Sequence, residues 1–278
     1  MIISVEEAKR KSQNEDVVFV DCRFDLKQPD QGRKWYDEAH LPNAVYMDLE
    51  RDLSGEVYST GGRHPLPDME QFKQLLLSKG ITDKTTVIAY DNQHAFASRF
   101  AWMLKAIGHE DVFILNGGFA AWEEAGFHLT SEPPSQDAVK NLQSWSLNDR
   151  MIATQDDVQR YIQDDRVALI DSRSYERYIG DHEPIDLKAG HIPSARSFDW
   201  MLLFDQGYFK DQQALQQHFS DLTDVDKIVV YCGSGVTAAS NVIALWEAGF
   251  DHVQLYVGSF SDWISNNQNV VATGDEPV

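Results

Sequence analysis

The sequence holds only two cysteines, Cys22 and Cys232, among 278 residues. That excludes a disulfide framework, and no Cys-x-x-Cys pair or Cys/His cluster suggests zinc or a thioredoxin-type couple. Any thiol chemistry must then use a single sulfur, with no metal. No apolar run approaches the roughly 18 residues that cross a bilayer, and the opening stretch from Met1 to Arg10 lacks the apolar core of a signal peptide. A soluble, cytoplasmic protein with no membrane partner is expected. Positive charge is scarce: 24 Lys and Arg against 44 Asp and Glu leave a formal charge of −20, which repels phosphate backbones and argues against nucleic acid as a partner. A small anionic substrate would meet the same field, so individual arginines matter.

What the chain does have is a repeat. Its length exceeds the usual single domain of roughly 100–150 residues, and three segments recur in order. Val18–Arg23 pairs with Ala168–Arg173 at an offset of 150, Ala39–Ala44 with Gly190–Ala195 at 151, and Val87–Asp91 with Ile228–Cys232 at 141. Gly108, Val112, Gly117, Phe119 and Trp122 meet Gly249, Val253, Gly258, Phe260 and Trp263 at the same last offset. A duplicated domain follows. The polar stretch around Pro133-Pro134 reads as a linker, giving domains at 1–130 and 151–278 joined by 131–150. Short apolar runs without polar alternation, Val17–Val20, Thr86–Tyr90, Val167–Ile170 and Ile228–Tyr231, suit strands covered on both faces. Helical stretches separate them; one is expected from Val236 to Ala248, ended by Gly249. The fold class is α/β, with a parallel sheet and helices on both faces in each domain.

Cys232 ends one such run and opens Cys-Gly-Ser-Gly-Val-Thr. Gly233 and Gly235 let the backbone curl with its N–H groups inward at a helix N-terminus, a nest for an anion. A thiol in such surroundings commonly drops below its usual pKa of about 8.5 and becomes nucleophilic. Three other readings stand beside this one. A phosphatase cradle needs arginine at 238, where Ala238 stands. A dinucleotide fingerprint would lie late in its domain and lacks the ribose-binding acid. An inert buried cysteine in a tight turn is the plain structural reading. The first repeat carries Asp91 at the Cys232 position and is catalytically silent there. Cys22 reads as a small core residue, and His40, His191, Asp171 and Arg173, found in both repeats, read as structural.

Across nearly the whole chain the sequence resembles the tandem-domain rhodanese family of sulfurtransferases. The likeness rests on Asp-x-Arg after the early strand, Gly190–Ala195, the Cys232 loop and Gly258-Ser259-Phe260-x-x-Trp263. The loop looks like that of 3-mercaptopyruvate sulfurtransferases, whereas thiosulfate-type members typically carry basic residues where Gly233 and Ser234 stand. The resemblance implies two tandem rhodanese-like domains and no cofactor. It also implies a ping-pong reaction in which Cys232, cradled by Gly233, Gly235, Val236 and Thr237, takes sulfur from a small anionic donor as a persulfide. The sulfur then passes to a thiol such as thioredoxin, or to cyanide. It makes Ser234 a proton donor, with a relay through Glu50, where the family has aspartate, and His64. Arg177 corresponds to an arginine that grips the donor carboxylate. The family's second arginine has no counterpart in the shorter Glu183–Lys188 stretch, where Lys188 is the cation at hand. Thiosulfate is the alternative donor, and a persulfide-sensing module without turnover is the alternative from another class.

Overall fold

The structure, a computed structural model, describes residues 1–14, 16–134 and 145–275. The apolar runs do form strands, and each repeat builds one five-stranded parallel sheet. In the first the order is Ile2–Ile3, Val112–Leu115, Thr86–Tyr90, Val17–Asp21, Val45–Tyr46. In the second it is Ile152–Ala153, Val253–Tyr256, Lys227–Tyr231, Val167–Asp171, Arg196–Ser197. The two orders are the same. Thr86–Tyr90 is buried throughout and Lys227–Tyr231 along all but its first residue, which explains why neither run alternates with polar residues.

Helices close both faces of the first sheet. Val5–Asn14, Gln31–Glu38 and Gly118–Glu124 supply Val5, Tyr36 and Trp122 to a cluster with Phe19 and Ile88. On the other side lie Met69–Ser78 and Ala95–Ala106, joined through the edge-to-face pair Phe72–Phe100. The second sheet repeats this with Gln155–Tyr161, Tyr175–Ile179 and Ser259–Trp263 on one side and Gln212–His218 and Ala238–Ala248 on the other. Ala238–Ala248 starts two residues later than its apolar pattern predicts and is buried nearly all round rather than on one face. Gly235, at φ +77°, spends those residues on the turn, while Gly249 at φ +100° ends the helix as expected.

The residues shared by both repeats are structural. Arg23 pairs with Asp21 at 2.6 Å and donates to the Ala39 carbonyl, just as Arg173 pairs with Asp171 at 2.6 Å and donates to the Gly190 carbonyl. His40 and His191 stack on Tyr36 and Tyr178 at 4.0 and 3.9 Å. Removing one partner of such a buried ion pair costs about 3–5 kcal/mol, reason enough for both copies to keep it.

The described residues divide into two compact units. One lies within Met1–Gly55, Leu66–Asn148 and Gly207–Phe209, the other within Glu56–Pro65, Asp149–Gln206 and Lys210–Val278. Residues 56–65 thus belong with the second unit, although they fall inside the stretch expected to form the first domain. Residues 135–144 of the expected linker lie outside the described residues. Its last part docks on the first unit: Trp145 is buried edge-to-face against His109, and Asn148 donates to the Ala106 carbonyl at 2.7 Å.

Candidate functional site: the loop at Cys232

The loop sits between the strand Lys227–Tyr231 and the helix Ala238–Ala248, and the turn after Val253–Tyr256 props it from behind. Cys232 N–H donates to Ser259 Oγ at 3.1 Å, and the Cys232 and Gly233 carbonyls accept from Phe260 and Ser261 N–H, each at 3.0 Å. Gly235 N–H points at Cys232 Sγ, 3.1 Å away. A Cβ at Gly235 would run into the Val257 carbonyl oxygen, so glycine is required there on two counts, space and its left-handed backbone. Val236 is buried, and the carbonyls of Val236 and Thr237 accept the first bonds of the helix. Cys232 itself is 2% exposed.

Ser234 follows, 9% exposed, with its Oγ 2.8 Å from His64 Nδ1. His64 reaches it from 170 positions away, on the 56–65 segment of the second unit. Glu50 lies in the first unit, exposed, with its backbone N–H donating to Asp48 Oδ1 at 2.9 Å. In that turn the buried carboxylate is Asp48.

Above Gly233 stand two guanidinium groups. Arg177 holds Glu183 through Nε at 3.0 and 3.1 Å and Asp186 through Nη2 at 2.8 Å. Arg63 Nη1 pairs with the other oxygen of Asp186. Glu183 also accepts the N–H groups of Ile185 and Asp186 and meets Arg173. Burial alone would raise its pKa, but Arg177 and those amides hold the carboxyl below the usual range. A Cβ at Gly233 would lie 2.9 Å from Arg63 Nη2, 3.3 Å from Arg177 Nη2 and 3.5 Å from Asp186 Oδ2. The cations paired with Asp186 are therefore Arg63 and Arg177; Lys188, half-buried on the same stretch, is not one of them. Reasoning from sequence missed Arg63, whose one signal was its place beside His64.

The corresponding turn of the first unit is already filled by its own anion. Asp91 accepts N–H groups from Gln93 and Phe96 at 2.8 Å and Ala97 at 2.9 Å, as well as from His94. A carboxylate thus occupies the nest that the second repeat leaves to Cys232. Cys22 is buried, and burial, followed by the charges of Asp91, Asp21 and Asp52, pushes its thiol well above the ordinary range. Such a thiol is protonated and inert. Among the described residues no group of three or more His, Cys, Asp or Glu could hold a metal ion, and no helix is long and apolar enough to cross a membrane.

Comparison with known proteins follows the same repeat. A family model described as "Rhodanese-like domain" matches residues 4–125 and again 154–266. A Pseudomonas aeruginosa protein named "Probable 3-mercaptopyruvate sulfurtransferase" is 38% identical over 282 residues, covering 99% of this chain and 98% of its own length. "Thiosulfate sulfurtransferase" of Cricetulus griseus is 32% identical over 244 residues, covering 84% of this chain and 80% of its own. Among solved structures, SseA from Escherichia coli, described with the 3-mercaptopyruvate sulfotransferases, superposes with a TM-score of 0.80 at 28% identity, over 94% of this chain and 98% of that one.

Proposed function

The chain belongs to the rhodanese-like domain family, and on that premise we propose that it is a sulfurtransferase moving sulfane sulfur from 3-mercaptopyruvate to a thiol or cyanide through a persulfide on Cys232. The observation that carries the reading is the Cys232 sulfur facing Gly235 N–H in a glycine-shaped turn at a helix N-terminus. The Cys232 thiolate attacks the donor sulfur; the new S–S bond forms as the donor C–S bond breaks, and the electron pair stays on carbon as the pyruvate enolate. Ser234 gives that carbon its proton, and His64, 2.8 Å behind, makes good the loss. The loop amides hold the persulfide until an acceptor thiolate attacks its outer sulfur, which returns the electron pair to Cys232. Arg177 meets the donor carboxylate. A reducing cytoplasm, with reduced thioredoxin as acceptor, suits a single reactive thiol.

The test is kcat/KM for 3-mercaptopyruvate and for thiosulfate, with cyanide and with reduced thioredoxin as acceptors. A preference of about tenfold for mercaptopyruvate, about 1.4 kcal/mol in transition-state binding, is expected. Thiosulfate is the second reading, favoured by the paired guanidinium groups over Gly233 and by the likeness to a thiosulfate sulfurtransferase; a thiosulfate preference of the same size would establish it. Transfer that stops after one sulfur per chain would replace both with a persulfide-sensing module.

A further inference from the structure

The segment that carries Arg63 is fastened at three successive residues. Gly61 N–H donates to Asp262 Oδ1 at 2.6 Å, and Arg63 N–H donates to Ser261 Oγ at 3.2 Å. Between them Gly62, at φ +84°, lies so close to Gly258 that a Cβ would strike its carbonyl oxygen. Asp262 is itself fixed by the Tyr256 hydroxyl at 2.6 Å. Ser261 and Asp262 are the two unspecified positions of Gly258-Ser259-Phe260-x-x-Trp263, so the turn that supports the Cys232 loop also holds this segment. Its backbone is thereby committed, and the Arg63 side chain, about a third exposed, is aimed at Gly233.

Arg63, Arg173 and Arg177 face Asp171, Glu183 and Asp186 in one ion-pair network. In a chain of net charge −20, three arginines balanced by three carboxylates make a spot where the local repulsion is cancelled, and of the three arginines Arg63 is the one with the largest share of its side chain left exposed to meet an anion. Gly233 is what leaves the room: any side chain there would push into Arg63 Nη2. The loop lacks a basic residue of its own, and the charge is brought from elsewhere in the chain to stand over the same spot.

We propose that Arg63 is the second cation of the donor site, presenting with Arg177 a guanidinium pair over Gly233 to the anionic head of the sulfur donor, whether a carboxylate or the sulfonate-like end of thiosulfate. The assignment rests on the sulfurtransferase reading for its donor, so its test includes a measurement that needs no sulfur transfer. Arg63→Gln and Arg63→Lys are compared with the unaltered chain in donor kinetics with cyanide. The rate at which Cys232 is alkylated by anionic iodoacetate is measured against neutral iodoacetamide.

Arg63→Gln is expected to raise donor KM about 10- to 100-fold with kcat within about threefold, and to lower the iodoacetate-to-iodoacetamide rate ratio about fivefold. Arg63→Lys should recover part of both, as a point charge without the fork. A rise in KM for mercaptopyruvate alone identifies a carboxylate site, and a rise for both donors a general anion site. Should Arg63→Gln not fold, Gly233→Ala, which intrudes on Arg63 Nη2 from the other side, is read in the same two assays. Unchanged KM together with an unchanged ratio in folded variants overturns the proposal. A fallen ratio in a protein that turns over neither donor keeps the anion site and removes the sulfurtransferase reading instead.

Discussion

Gly235 and Gly233 lie two residues apart in one loop, yet replacing them with alanine should have opposite signatures. At Gly235 an alanine must adopt φ +77°, at a cost of about 1–2 kcal/mol, and its Cβ meets the Val257 carbonyl, a backbone atom that cannot swing aside. Overlap of this kind adds about 1–3 kcal/mol, for a total of about 2–5 kcal/mol against the 5–15 kcal/mol that usually holds a domain together. The variant should fold with its loop displaced. The N–H that faces Cys232 Sγ would move with it, and by analogy with the loss of one oxyanion donor, kcat should fall about 10²- to 10³-fold. At Gly233 the left-handed backbone is not needed, and the nearest atoms are the ends of flexible side chains; a stability loss below about 1 kcal/mol and a raised donor KM are expected. Urea unfolding midpoints and steady-state kinetics on both variants decide this. Gly235→Ala with native midpoint and turnover would refute the reasoning, as would two variants that behave alike.

Two further outcomes follow from the same geometry. Because the pyruvate enolate needs a proton on carbon and departing sulfite does not, His64→Gln should lower kcat for mercaptopyruvate about 10²-fold or more while changing thiosulfate turnover little; equal losses with both donors would remove the relay through Ser234. Burial pulls the pKa of His109, His191 and His218 below 6.5. The folded chain therefore binds fewer protons than the unfolded one as pH falls through that value, and stability declines by at most about 1.4 kcal/mol per pH unit for each histidine. The urea midpoint should be lower at about pH 5.5 than at about pH 7.5; a flat or reversed dependence would contradict it.

The architecture could be read from the sequence because strands buried on both faces leave uninterrupted apolar runs, and because the duplication supplied an internal check on each one. Thr86–Tyr90 was legible to the residue. Helix starts were less so: the apolar pattern at Val236 runs through a turn that only the backbone of Gly235 reveals. The structural role of His40 and His191 was accessible by the same internal comparison, since the silent copy keeps its histidine. At the candidate site, the glycine-rich loop at Cys232 was legible through local spacing. Arg63 did not, because nothing local connects Gly61-Gly62-Arg63 to a turn nearly two hundred residues later. Asp262 and Ser261, the residues that make the connection, occupied the unspecified positions of a recognised motif. The sequence likewise hid that residues 56–65 fold with the second repeat, since chain order alone assigns them to the first.

During turnover one sulfur atom is expected to reside on Cys232, and intact mass spectrometry after incubation with 3-mercaptopyruvate, with no acceptor present, reads it. The expected result is a gain of one sulfur per chain that cyanide discharges. That gain should be kept by Cys22→Ser, whose thiol is buried and inert, and be lost by Cys232→Ser. No gain in the unaltered chain, or the same gain in Cys232→Ser, would contradict it.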